Sequence, residues 1–229
     1  MGKEIKKSYQ LLVVAHPDDE TLFFSAALMQ QRKLPWLVVC VTNGNADGAG
    51  SARAQQFKKA CAKLKIKDAI QWNFPDIFEQ RLDIAGLEYH LRQLPDPAVV
   101  FTHGIVGEYG HPHHQDVSFA VHNVFGKKCK VWVPAFNAMA DKTLQLTKSQ
   151  YRIKSEIYSK IYRGETMRFA PFIPNRNVDE YMQLGQKEVT EIYSSILEKR
   201  SPARNKLDKY KWFSSFLDED NKRDKVRPF

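Results

Sequence analysis

Five short apolar runs, separated by stretches with helical spacing or turn residues, constrain this chain more than any other feature of its sequence. Tyr9 to Ala15, rich in Leu and Val, suits a strand buried on both faces of a parallel sheet. Thr21 to Arg32 then sets Leu22, Ala26 and Met29 at helical spacing. Trp36 to Val41 reads as a second buried strand, stopped by Thr42-Asn43-Gly44, and Asn43 to Ser51 as a loop long enough to form a flexible rim or lid. A helix follows from about Ala52 to Leu64, then a strand at Ala69 to Trp72 and a helix at Ile84 to Leu94, closed by Pro95 and Pro97. Ala98 to Thr102 is the fourth strand, Gln115 to Phe125 a helix and Lys130 to Val133 the fifth strand. Alternation of this kind predicts βαβ units and a mostly parallel sheet.

From Thr147 the pattern changes to long helices, about 147–163 and 178–200, broken by Pro171 and Pro174. The expectation is one α/β domain over 1–229, a Rossmann-like three-layer fold with helices on both faces of the sheet. Residues 1–140 form its sheet core and 141–229 a mostly helical C-terminal extension. With 43% hydrophobic and 12% aromatic residues the chain has the apolar mass for a core, which excludes disorder as a description of the whole. Cys40, Cys61 and Cys129 lack CxxC spacing and are too few for a disulfide framework, so a reducing, cytoplasmic setting is expected. The longest apolar runs fall far short of the ~20 residues that cross a bilayer. Met1 to Ser8 is basic, but the LLVVA after it is shorter than a secretory core, and Lys6 breaks the myristoylation pattern. A net charge of +9 and a pI of 9.4 raise the question of nucleic acid. The charges alternate in sign near the C-terminus, where Asp208, Asp218, Glu219 and Asp220 lie among the lysines, and no helix-turn-helix, RNP or OB signature accompanies them. No nucleic-acid partner is expected.

Loops that follow parallel strands gather along one edge of the sheet, where ligands bind. Two such loops are dense in metal-binding side chains: His16-Pro17-Asp18-Asp19-Glu20 after the first strand and His111-Pro112-His113-His114 after the fourth. Five of the seven histidines lie in or beside them, counting His103. A hydrolytic zinc takes three ligands from His and carboxylate and keeps an open position for water. His16 and Asp19, three residues apart across a tight turn, can converge on one ion, and His114, opening a helix, is the best third ligand. Asp18 is then beside the ion but free of it, a general base for the bound water. His111, in the same loop as His114, is placed to stabilise an oxyanion or protonate a leaving amine. Read singly, Asp18 and Asp19 are helix caps and the histidine run is a solvated loop; together, at two strand ends, they point to a metal.

AHPDDE after a hydrophobic strand, with GHPHH about ninety residues later, resembles the PIG-L / LmbE-like family of zinc-dependent N-acetylglucosaminyl de-N-acetylases over about residues 9–125. The resemblance implies His16, Asp19 and His114 as ligands of Zn2+ (or another divalent transition metal such as Fe2+), Asp18 as general base and His111 as the oxyanion-stabilising or general-acid histidine. It also implies that Thr42-Asn43-Gly44 is the family's Thr-x-Gly, that Arg53 helps hold the substrate, and that Asp76 is the acid after the third strand. The substrate is then a small molecule or glycan containing N-acetylglucosamine, from which the acetyl group is hydrolysed. Action on another N-acyl sugar conjugate and sugar binding without turnover are the alternatives. Two positions depart from the family pattern. His113 stands where an Asp normally supports the neighbouring histidine, and Gln56 where a Glu follows the Arg. Tyr109, Trp72, Phe74 and Phe78 are possible stacking faces for a sugar, and Arg163, Arg168 and Arg176 possible contacts for a phosphate; His90, His103 and His122 have no assigned role.

Overall fold

The computed structural model describes residues 9–78, 80–136, 138–170, 173–200 and 210. The readings of Met1–Ser8 and of the charges beyond Arg200 lie outside them.

The expected alternation is present. Strands β1 (Gln10–Val14), β2 (Trp36–Thr42), β3 (Asp68–Phe74), β4 (Val99–Thr102) and β5 (Lys130–Pro134) pair in parallel in the order β3-β2-β1-β4-β5. Helices α1 (Asp19–Gln30), α2 (Gly50–Lys63), α3 (Ile84–Arg92) and α5 (Pro112–Phe125) lie between them, with a four-residue turn α4 at Gly107–Gly110. Every residue of β1 is buried. Leu11 and Val13 face one apolar layer with Leu87, Leu91, Val117 and Val121 from α3 and α5. Leu12 and Val14 face the other, with Phe24, Leu28, Phe57 and Cys61 from α1 and α2. Period-two side chains on a strand thus meet period-3.6 stripes on both sides, and each Leu, Val or Phe so buried stabilises by about 1.5–3 kcal/mol.

The C-terminal part departs from the reading as long helices. Residues 178–200 are not one helix: Val178–Gln183 is a strand, β7, and only Gln186–Leu197 is helical, α8. A short strand β6 (Lys142–Gln145) pairs with β7, and β7 pairs antiparallel with β5, which extends the sheet to seven strands. In β7 the decisive pattern is alternation: Asp179 and Tyr181 are buried, while Val178 and Glu180 face partly outward. The buried Asp179 carboxylate is satisfied by Lys154 Nζ at 2.9 Å and by the Ala26 amide at 2.6 Å. The expected 147–163 helix is α6 (Lys148–Glu156), then a π-helical turn (Ile157–Ile161) and α7 (Arg163–Phe169).

β1 pairs with β2 on one side and β4 on the other, so the connections leave β1 and β4 in opposite directions and open a crevice at their carboxyl ends. The two histidine-rich loops begin there.

Candidate metal centre and active site

The first loop turns sharply out of β1. Asp18 adopts φ 125°, a left-handed conformation uncommon for a residue with a Cβ, and starts α1 without any side-chain capping bond. Capping therefore does not account for Asp18. Its amide is held by Glu20 Oε2 at 3.1 Å, and Glu20, fully buried, also accepts from the Thr21 hydroxyl. Burial raises the Glu20 carboxyl to about 7. The Asp19 carboxylate accepts the His16 amide at 2.8 Å, closing the turn.

The second loop enters α5 with His111 as N-cap and Pro112 in the first turn, where a missing amide proton costs nothing. The helix begins three residues before the expected Gln115. His111 Nδ1 accepts the His113 amide at 3.2 Å, so its proton sits on Nε2, which is left for the site. Burial, with His16 and His114 close by, pushes its pKa well below the usual histidine value.

The fold brings His16, Asp19 and His114 together. His16 Nδ1 lies 3.3 Å from His114 Nε2 and 3.5 Å from Asp19 Oδ2, and His114 Nε2 lies 3.4 Å from Asp19 Oδ1. Tetrahedral zinc with bonds of 2.0–2.1 Å holds its ligand atoms about 3.3–3.4 Å apart. The donor set fits such an ion, the two imidazole nitrogens stand at that spacing, and the Asp19 carboxylate reaches each of them through a different oxygen. Two further groups of potential ligands exist among the described residues, His16/His111/His113 and His103/Glu108/His114. Their atoms are already committed: His113 to His16 and the Gln80 carbonyl, Glu108 to both of its histidines.

Around this trio lies a shell that the sequence reading largely missed. Glu108 Oε2 is 2.5 Å from His114 Nδ1 and 3.0 Å from His103 Nδ1, and Oε1 accepts the Gly104 amide. Burial opposes its charge, but His103 and His114 bring the carboxyl down to about 2. Like Asp18, Glu108 has a positive φ, 54°. His103, to which no role was given, fills the space between Glu108 and Asp19, its Nε2 3.2 Å from Asp19 Oδ2. An acid between two histidine positions of one loop was the signal available for Glu108; nothing local marked His103.

Arg53 reaches the site from α2. It donates to the Pro17 carbonyl at 2.9 Å and to Asp18 Oδ2 at 3.3 Å, with Asp76 Oδ2 at 3.6 Å. Burial raises the Asp18 carboxyl well above the usual range, and the Arg53 charge works against that. Glu165 of α7 comes within 4.0 Å of Arg53, facing it from the C-terminal part, whereas Gln56 supplies no charge. Gly44 has φ 65°, and a Cβ there would meet the Pro17 ring at 3.1 Å, which is why the loop after β2 passes beneath Pro17 only as glycine. That loop is stitched by its own side chains: Asn43 and Asn45 accept the amides of Asn45 and Gly50.

The remaining expectations separate. Tyr109 packs its ring edge against His114 and His111, with centroids 5.4 and 5.9 Å apart. Trp72 and Phe74 instead pack on His90 of α3, and Phe78 is 60% exposed. Arg168 pairs with Asp47 and Arg176 with Glu180 at the surface, and Arg163 is exposed. No helix among the described residues is long and apolar enough to cross a membrane.

Residues 11–125 match the PIG-L family, described as GlcNAc-PI de-N-acetylase. The chain belongs to the PIG-L family. Relatives within reach of sequence comparison include an uncharacterized protein of Acanthamoeba polyphaga mimivirus, 28% identical over 54% of this chain and 60% of that protein. The N-acetylglucosaminyl-phosphatidylinositol de-N-acetylase of Saccharomyces cerevisiae is 30% identical over 48% of this chain and 41% of the yeast enzyme. The chain thus spans about half the length of the curated PIG-L relatives it matches. Among solved structures, the zinc-inhibited form of teicoplanin deacetylase Orf2 aligns with a TM-score of 0.55 at 15% identity, over 77% of this chain and 99% of that one. N,N'-diacetylchitobiose deacetylase from Pyrococcus horikoshii aligns with a TM-score of 0.55 at 14% identity, over 79% and 85%. These likenesses show the shared α/β fold; the PIG-L assignment rests on the sequence match.

Proposed function

We propose that this chain is a metal-dependent hydrolase that removes the N-acetyl group from an N-acetylglucosamine-containing substrate. The observation that supports this most is the convergence of His16, Asp19 and His114, whose ligand atoms approach to 3.3–3.5 Å, with the adjacent Asp18 outside the ligand set. Residues 9–200 act as one unit on this reading, because β6 and β7 complete the same sheet.

His16, Asp19 and His114 would hold a divalent cation, zinc by the chemistry of the set, which when bound would lower the pKa of a water and polarise the acyl carbonyl. Asp18 is placed to accept a proton from the attacking water and to return it to the amine nitrogen as the C–N bond breaks. Arg53 holds the Asp18 carboxylate in place through Oδ2. The Nε2–H of His111 donates to the oxygen on which negative charge develops. On this reading Arg53 also helps hold the substrate. The activity of the yeast relative, named for N-acetylglucosaminyl-phosphatidylinositol, makes a lipid-linked N-acetylglucosamine the first substrate to try.

The test is an acetate-release screen with the zinc-loaded protein across free, nucleotide-linked, lipid-linked and oligomeric N-acetylglucosamine, with N-propionyl and N-butyryl analogues alongside. Acetate and free amine in equal amounts are the expected products. Metal bound without acetate released from any member of the panel would contradict the reading.

A further inference from the structure

His113 occupies the place of a family carboxylate, and the proposed chemistry does not use it. The structure gives it a defined pair of partners. Its Nε2 lies 2.9 Å from the Gln80 carbonyl oxygen. A carbonyl only accepts, so Nε2 carries the ring proton and, in the neutral ring, Nδ1 is an acceptor. That Nδ1 lies 3.0 Å from His16 Nε2. His16 therefore donates from Nε2, and its Nδ1 is left with a lone pair. Nδ1 is the atom of His16 that stands 3.3 Å from His114 Nε2.

The start of this relay is itself fixed. One turn further along α5, the buried Asp116 accepts the Leu82 amide at 2.8 Å, Arg81 at 2.8 Å and the Tyr193 hydroxyl at 2.7 Å. Arg81 also donates to the Pro112 carbonyl. The same helix thus carries His113 and clamps the loop whose carbonyl His113 meets.

We propose that His113 is a positioning residue that holds His16 in the Nε2–H tautomer and so delivers Nδ1 to the metal, through a neutral His16–His113–Gln80 relay in place of a carboxylate. The two imidazoles of the site are then supported differently. His114 leans on the anionic Glu108, which raises a ligand's basicity, whereas His113 orients His16 without adding charge. Asp76 Oδ1, 3.5 Å from His16 Nε2, is the competing acceptor and lies beyond a normal hydrogen bond for that pair. The inference rests on the metal reading above.

The experiment measures zinc affinity by chelator competition for the wild type, His113→Leu, His113→Asn and Asp76→Asn, with thermal unfolding of the metal-free proteins as the check on folding. Loss of an outer-shell partner weakens metal binding about 10–100-fold, and that is the loss expected for His113→Leu. His113→Asn, whose Oδ1 still accepts from His16, recovers most of it, and Asp76→Asn changes the affinity less than His113→Leu does. Long-range 1H–15N spectra of the zinc-loaded wild type should show His16 protonated at Nε2. Unchanged affinity in His113→Leu, a larger loss in Asp76→Asn, or a wild-type His16 protonated at Nδ1 would each overturn the relay while leaving the metal in place. A wild type that binds no zinc would overturn the metal reading beneath it.

Discussion

Glu108 Oε2 stands 2.5 Å from His114 Nδ1, on the far side of the imidazole from the atoms that face His16 and Asp19. The carboxylate fixes the His114 proton on Nδ1 and leaves Nε2 as a lone pair. Glu108→Gln replaces an anionic acceptor by a neutral one, and zinc affinity should fall about 10–100-fold. Chelator competition measures it, and the folded metal-free protein provides the control.

Asp18 is within reach of the site yet outside the ligand set. Asp18→Asn should bind the metal as the wild type does and lose turnover by about 10²–10⁴-fold, the usual contribution of a positioned acid or base. Metal stoichiometry and acetate release on the same preparation check both halves. Turnover at the wild-type rate would remove Asp18 from its role.

A pH effect is expected far from the metal. His122 is buried on α5, bonded through Nδ1 to the Ser118 carbonyl, and burial lowers its pKa to about 4. The unfolded chain, with a histidine near 6.5, binds this proton first, so the folded state is fully favoured above about pH 6.5 and loses stability as the pH falls toward 4. Between pH 7 and pH 5 the loss is about 2 kcal/mol. In His122→Phe this component vanishes, and urea unfolding of both proteins at the two pH values reads the difference.

Lys154 and Asp179 form a buried ion pair between α6 and β7, both nearly inaccessible to solvent. Lys154→Met strands the Asp179 charge, and a cost of about 3–5 kcal/mol is expected from urea unfolding. A cost below about 1 kcal/mol would place the pair with exposed ion pairs instead.

How much of this was legible in the sequence follows from where each signal lies along the chain. The βαβ core was, because buried parallel strands such as Leu11 to Ala15 are continuous apolar runs and their helices keep a period of 3.6. β7 was not: its face depends on Lys154 and on the Ala26 amide, both remote in sequence, to neutralise Asp179. β6 is a four-residue, half-exposed edge strand with little pattern to read. At the site, His16, Asp18, Asp19, His111 and His114 stood out by density and spacing. Glu108 and His103 did not, because their work depends on a turn with positive φ and on a neighbouring strand end. His113 read as a departure from the family pattern, and the histidine its ring bonds is His16, ninety-seven residues away, while only its backbone amide meets His111.

Anomalous diffraction at the zinc edge, from crystals of the zinc-loaded protein, tests the central claim most directly because three groups of side chains compete for the ion. The account predicts one strong peak at about 2.0–2.2 Å from His16 Nδ1, an Asp19 oxygen and His114 Nε2. A peak held instead by His16, His111 and His113, or by His103, Glu108 and His114, would contradict it.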